Sequence, residues 1–361
     1  MRDAIRGLGW IGGLLVVLVL TIVGSAAVGP VSIPPLSIAK IILGAVAVPS
    51  AVNVGWATGE AGLAVPTVGI EYARLTTVAV PETSETIVLG IRLPRIVLGA
   101  LVGFSLAGAG AVMQGFFRNP MADPSIIGVS SGAAVGAVAA ITLPIGLDIH
   151  AAAFLTGLAT AFAVYLIATE GGRTPVATLL LAGVAVQTFL GAVISYMLVY
   201  SGESLQQAVF WLMGHLHTAS WAEVRLTLLT VPPLFAALLW YARDLNVLLL
   251  GEEDARTLGV EVERTKRMLL GLSSLLTAAA VAVSGVIGFV GLIVPHIMRL
   301  LVGPDHRLLL PTSALAGASF LVATDTIARA GAAELPVGIV TAALGAPFFL
   351  YLLRRREVHA L

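Results

Sequence analysis

The chain has 361 residues, 58% of them hydrophobic and only 11% charged, and its mean hydropathy is +0.99. A soluble domain carries about 25% charged residues, so a water-soluble core is excluded, and 20 basic against 20 acidic side chains leave no basic surface suited to a nucleic acid. Cysteine is absent, which excludes disulfides, thiol catalysis and cysteine-ligated metals while fixing no compartment.

Arg2 and Arg6 precede an apolar run at 10–28. That pattern suits a signal peptide, but the run is longer than a usual h-region and no clear small-residue cleavage site leads into a soluble domain. A retained first span with its N-terminus inside is predicted. Residues 29–90 are rich in Pro, Gly and Val, weakly periodic, and carry Glu60, Glu71, Arg74, Glu82 and Glu85. They are expected outside as an extended connection, with 36–48 at the interface. Apolar runs of membrane length then predict spans at 93–114, 126–143, 150–168, 176–200, 223–241, 268–287, 288–302, 308–330 and 335–353. With the first these make ten, and both termini are expected on the cytoplasmic face of the plasma membrane. The positive-inside rule favours that orientation, because only Lys40, Arg74, Arg92, Arg95, Arg225 and Arg329 of the 20 cations then lie outside. No linker, low-complexity tract or tidy repeat divides residues 1–361, so one all-α, polytopic membrane domain is expected.

Between the sixth and seventh spans, residues 245–267 crowd together Glu252, Glu253, Asp254, Arg256, Glu261, Glu263, Arg264, Lys266 and Arg267. In hydrocarbon each central charge costs roughly 2.5–3.5 kcal/mol. The segment must therefore stand in water, and it reads as a cytoplasmic docking element.

Gly128-Val129-Ser130-Ser131-Gly132 formally matches the G-x-S-x-G nucleophile elbow. It opens an apolar helix, however, and His150 lies near the far end of the next connection, so serine hydroxyls at a helix start are the stronger reading. His215-x-His217 does not share a helix face and has no third ligand nearby, which favours interfacial histidines over a metal site. Lysine occurs only at Lys40 and Lys266, and neither ends a phosphate-binding G-x-x-x-x-G-K-[ST] loop. Any ATP-driven step must then use another subunit. Asp325 and Arg329, four apart on one helix, can pair, and an intramembrane carboxylate is a candidate for ion coupling. It stands alone near the outer end, whereas ion-coupled carriers show several buried polar groups at mid-membrane. Arg92 and Arg95 flank Pro94, which fits a first helical turn. They read either as snorkelling anchors or as a docking point for carboxylates of an external protein. Gly99-x-x-x-Gly103 and Gly132-x-x-x-Gly136 allow close helix approach, and Gly285, Gly288 and Gly291 suit a tight or broken helix.

The block IRLPRIVLGALVGFSLAGAGAVMQGFFRNPMADPSIIGVSSGAAVG at 91–136 closely resembles the permease subunits of ABC importers for vitamin B12, iron–siderophores and haem. LLLAGVAV at 179–186, VFWLMG at 209–214, LGEEDARTLGV at 250–260, GFVGLIVPHIMRL at 288–300 and ELPVGIVTAALGAPFFLYLL at 334–353 follow in that family's order. The resemblance implies a ten-span subunit without catalytic residues, cofactor or metal of its own. It implies a homodimer with the path on its two-fold axis, two cytoplasmic ATP-binding subunits and an extracytoplasmic substrate-binding protein. Short coupling helices containing Leu250, Gly251, Glu252, Glu253, Asp254, Ala255, Arg256, Leu258 and Gly259 would seat in the ATPase. Arg92, Arg95 and Arg329 would meet glutamates of the binding protein. The fifth and tenth spans and residues 204–214 would line the path, with a gate at Asn119, Met121, Thr174 and Pro175.

Two features depart from the family pattern. Residues 29–90 are longer than its usual first external connection, and the gate loop Arg173-Thr174-Pro175-Val176-Ala177 is poor in hydroxyls. The expected function is inward movement of a metal chelate by alternating access. The coupling block and the final helices point to a corrinoid, with an iron–siderophore or haem as the alternative. An ion-coupled carrier and a membrane serine hydrolase are the competing classes.

Overall fold

In the computed structural model the described residues are 2–29, 31, 33–45, 47–58, 64–74, 81–143, 146–331 and 333–355. The chain enters through α1 (Arg2–Ala27) and α2 (Pro35–Ala45), then forms two antiparallel strands, β1 (Ala47–Thr58) and β2 (Ala64–Arg74). Helices α3 (Glu82–Thr86), α4 (Leu93–Phe116), α5 (Val129–Thr142), α6 (Ile149–Ala168), α7 (Val176–Val199), α8 (Leu205–Leu212) and α9 (Trp221–Trp240) follow. The last group is α10 (Ala242–Leu248), α11 (Glu252–Thr257), α12 (Val262–Ser284), α13 (Val290–Val302), α14 (His306–Ala328) and α15 (Val337–Arg355).

Among the described residues, seven helical stretches are long and apolar enough to cross a membrane, and α5, α13 and α15 supply shorter apolar helices. Together they fall on the predicted spans. Helix α13 has 13 residues, about 20 Å at 1.5 Å per residue, against a hydrocarbon core of about 30 Å. Residues 285–289, which are not helical, separate α13 from α12. Gly285 and Phe289 both hold φ +69° there, so the glycine-spaced stretch does break the helix. Gly285 packs against the Trp211 carbonyl and Gly345 against the Phe289 ring.

Helices α4, α12 and α14 are buried over most of their length, while α1 and α7 lie at the periphery. Close backbone approach holds the centre together. A Cβ on Gly103 would strike the Gly317 carbonyl of α14, and one on Gly110 would strike Gly291 of α13. Gly132 and Gly136 meet Thr160 and Thr156 of α6 in the same way, as the small-x-x-x-small spacing implies. Hydroxyls inside the bundle return to their own helices, for example Ser105 to the Leu101 carbonyl at 2.7 Å, Ser274 to Leu270 at 2.6 Å and Thr312 to Leu308 at 2.7 Å. Away from water that internal acceptor is what satisfies them.

Three local expectations change. The connection at 29–90 is not wholly irregular, since β1 and β2 pair from Ala47 with Arg74 to Thr58 with Ala64, slipping register between Pro49 and Ala51. Proline lacks the N–H that a regular ladder needs. The helix of the second span begins at Glu82 and continues through a π-helical segment, Ile87–Arg92, into α4. Pro94 therefore stands inside a continuous helix rather than in its first turn. Its missing donor and its ring clash with the preceding turn are accommodated by the wider winding. Ser130 does not cap α5: Gly128, at φ +85°, is the N-cap and no side chain bonds there. Capping falls one turn earlier, where the Asp123 carboxylate accepts from the Ser125 N–H at 2.9 Å.

Candidate functional site

Two clusters of polar side chains occupy opposite ends of the bundle. The first is built on α11. Gly251 (φ +132°) and Gly259 (φ +86°) adopt backbone that favours glycine and bracket a six-residue helix. Glu252, Glu253 and Asp254 lie in its first turn and Arg256 in its last, the arrangement that complements a helix dipole. Leu250 and Leu258 flank it as exposed apolar side chains, while Ala255 is buried.

Lys266 of α12 organises this end. The helical period places it on the same face as Val262, Leu269 and Leu270, and it is only 4% exposed. Its Nζ lies 2.7 Å from Glu252 Oε1 and 3.4 Å from Glu263 Oε1 and donates to the Thr174 carbonyl at 2.9 Å. The Thr174 N–H donates to Glu263 at 3.3 Å, and its hydroxyl meets that of Thr169 at 2.8 Å. A cavity of about 650 Å³ opens beside these groups, with Arg118, Thr174, Pro175, Glu252, Glu253 and Arg256 in its wall.

The structure thus brings Thr174 and Pro175, expected in the gate, against α11. Asn119 and Met121 sit on the neighbouring loop, outside that wall. Asn119 Oδ1 accepts from the Met121 N–H at 2.9 Å, so its side chain shapes the turn. Burial pushes the Asp123 carboxyl pKa up, while hydrogen bonds from Ser125 oppose the shift. Farther in, Gln114 links α4 to α13 by donating to the Leu292 carbonyl at 2.9 Å and accepting from Arg299 at 3.1 Å. Asn246 joins α10 to α14, donating to Asp305 at 2.6 Å and accepting from the His306 N–H at 2.9 Å.

At the opposite end Arg92, Arg95 and Arg329 converge, as expected, but not as free surface cations. All three are buried. Arg95 Nη2 donates to Asp325 Oδ1 at 3.0 Å and Nη1 to Glu334 Oε2 at 3.0 Å. Arg329 Nε lies 3.3 Å from the other Asp325 oxygen, so one carboxylate sits between two guanidinium groups. Arg329 also donates to the carbonyls of Val28 at 2.9 Å and Ser25 at 2.8 Å, and Arg92 to those of Ala26 at 2.8 Å and Val31. The last carbonyls of α1 have no partner within their helix, and these arginines supply donors to them. That use was illegible in the sequence because α1 and Arg329 are some three hundred residues apart. The Asp325–Arg329 pair was legible, whereas Glu334, Lys266 and Gln114 as partners were not.

His215 and His217 lie beyond α8 in a turn, not on a helix, and their rings come within 4.6 Å of each other. With His150, Glu203 and Phe210 they line a second cavity, of about 490 Å³. Burial, reinforced by the neighbouring His217, lowers the His215 pKa to about 4. His217 is also lowered, mainly by burial.

The FecCD transport family profile matches residues 15–355. The chain is 58% identical, over the whole of both proteins, to the cobalamin import system permease protein of Halobacterium salinarum. It is 45% identical to the hemin transport system permease protein of Yersinia pestis, across 74% of this chain and 84% of that protein. The vitamin B12 import system permease protein of Escherichia coli O127:H6 is 43% identical over 74% of this chain and 84% of its own length. A solved structure described as an inward-facing metal-chelate type ABC transporter superposes with a TM-score of 0.76 at 32% identity, covering 96% of this chain and 98% of the other.

Proposed function

The chain belongs to the FecCD transport family, and on that premise we propose that it is the membrane permease that carries a cobalamin inward, using ATP hydrolysed by a separate subunit. The observation that carries the cargo is the 58% identity to a cobalamin permease over both full lengths. The hemin permease relative supports a second reading, in which haem or another iron chelate is the cargo. Cells lacking this chain should fail to accumulate radiolabelled cobalamin while still taking up ferric siderophore and haem. Loss of siderophore or haem uptake with normal cobalamin uptake would transfer the assignment to the second reading.

In this reading two copies form a dimer around the path, with both termini and α11 in the cytoplasm. The exposed apolar side chains Leu181, Val184 and Phe189 of α7 and Ile339 and Leu344 of α15 support the placement of those helices at the path. An apolar wall offers a large chelate few groups that would trap it. The ATP-binding subunit meets the α11 segment, Leu250, Gly251, Glu252, Glu253, Asp254, Ala255, Arg256, Leu258 and Gly259, where two exposed leucines and mixed charges suit a protein surface. Thr174, Pro175, Asn119 and Met121 form the inner gate.

A substrate-binding protein docks at the opposite end. For Arg92, Arg95 and Arg329 to contribute, each must exchange an internal oxygen for an external carboxylate, which the five donors of a guanidinium permit. Replacing Arg92 and Arg95 by glutamate should then weaken binding-protein affinity, and the parent affinity should fall as salt rises. An unaltered titration would remove the docking assignment.

A further inference from the structure

We propose that Lys266 is the positioning residue that transmits movement of α11 to the gate loop at Thr174. The inference rests on the reading of α11 as the ATPase contact and names the physical link that reading lacks. The gate loop and α11 have no backbone hydrogen bond between them in the described residues. What joins them is one ammonium group, held by Glu252 on α11 at 2.7 Å, by Glu263 one turn back on α12 at 3.4 Å and by the Thr174 carbonyl at 2.9 Å. Glu263 also takes the Thr174 N–H at 3.3 Å. Both polar atoms of the Thr174 backbone are therefore gripped from α12, and α11 grips the same lysine.

Burial makes the link stiff. Lys266 is 4% exposed, and an ammonium so largely shielded from bulk water loses more when its oxygens move away than a surface one does. Displacement of Glu252 therefore either carries Lys266 and the Thr174 carbonyl with it or leaves the ammonium on Glu263 and Thr174 alone, without its shortest ion pair. Surface pairs such as Arg264 with Glu261, 3.5 Å apart and well exposed, impose no such choice. Glu252 is part-exposed on the wall of the 650 Å³ cavity, which Thr174, Glu263 and Lys266 also line, so a docked protein can reach the outer end of the chain of contacts.

The test uses the permease with its ATP-binding and substrate-binding partners in proteoliposomes, with radiolabelled cobalamin as probe. In Lys266→Met, cobalamin moved per ATP hydrolysed should fall about tenfold, a coupling loss of ordinary allosteric size, and Lys266→Arg should restore much of it. A merely structural role would lower transport and hydrolysis in proportion and leave the ratio unchanged, which would overturn the proposal. A second readout is independent of cargo, and the absence of native cysteine makes introduced labels unique. Spin labels at Arg173→Cys and Thr218→Cys should report an ATP-dependent distance change that Lys266→Met abolishes, while labels at Thr257→Cys, exposed on α11, and Thr218→Cys still respond. An undiminished Arg173 response in that variant refutes the link. If Lys266→Met does not fold, Glu252→Gln removes only the α11 end of the link, and its ratio and Arg173 response should both fall. Wild-type values in Glu252→Gln would equally reject the link. Failure of the wild type to move cobalamin, with the label responses intact, would instead count against the cargo assignment alone.

Discussion

Asp325 is fully enclosed between Arg95 and Arg329, which decides how an intramembrane carboxylate should be read here. An ion-coupling group must exchange its partner during the cycle, whereas this one is held by two cations that are themselves bonded to Glu334 and to the end of α1. Removing one member of a buried pair typically costs about 3–5 kcal/mol. Arg95→Met should therefore destabilise the detergent-solubilised protein by an amount of that order, and adding Asp325→Leu should recover part of the loss. Additive effects of the two changes in denaturation would show that the pair is not coupled. His215 makes a separate prediction. Its folded pKa of about 4 lies below the ordinary value of about 6.5, so it folds neutral. Its contribution to stability is complete above about pH 6.5 and is lost as the pH falls toward 4. His215→Phe should make the melting temperature less sensitive to acid across that window, and identical pH profiles for the two proteins would contradict this.

At the scale of elements, the short helices carry more of the functional argument than the long ones. Helix α11 has six residues and cannot persist as an isolated helix; its position depends on the Gly251 and Gly259 turns and on the buried Ala255. The leucines exposed beside it are poorly placed for water and well placed for a partner. Leu258→Asp should weaken co-purification of the ATP-binding subunit about tenfold, as expected for truncating one apolar anchor, with little change in the melting temperature of the permease alone. Full retention of the complex would put the contact elsewhere. The break between α12 and α13 follows the same logic. Backbone freed from helical bonding at 285–289 is tolerable within a membrane only where protein encloses it, and Gly285 and Phe289 lie against Trp211 and Gly345.

For the whole molecule, the alternation of helices places the start of α1 and the α11 segment at one end and the arginine cluster at the other, and in the proposed arrangement the end of α15 joins the first group. Gly7 packs against Leu308 at the start of α14, and Thr174 bonds to Lys266 at the start of α12, so the same end also holds the gate loop. Single cysteines replacing Asp254 and Arg354 should be modified by a membrane-impermeant thiol reagent from the cytoplasmic face. A cysteine at Thr218 should react only from the opposite face. Labelling of positions 254 and 354 from different sides would invalidate the ten-span arrangement.

Hydropathy and charge by themselves determined that this chain is a multi-span membrane protein and where its spans fall, and they marked 245–267 as a charged connection, although folding buries its Lys266. These follow from the cost of placing charge or unbonded backbone in hydrocarbon, which acts on each segment separately. Glycine spacing likewise announced the close contacts of α5 with α6. The alternation of Val52, Val54 and Trp56 with smaller or polar residues held a strand signal that weak overall periodicity obscured. Only the tertiary structure decided what the buried cations do. Lys266 and Arg95 find their oxygens on segments remote in sequence, and the energy of an ion in a protein depends on which partners folding brings within hydrogen-bond distance, a quantity that no local window of residues contains.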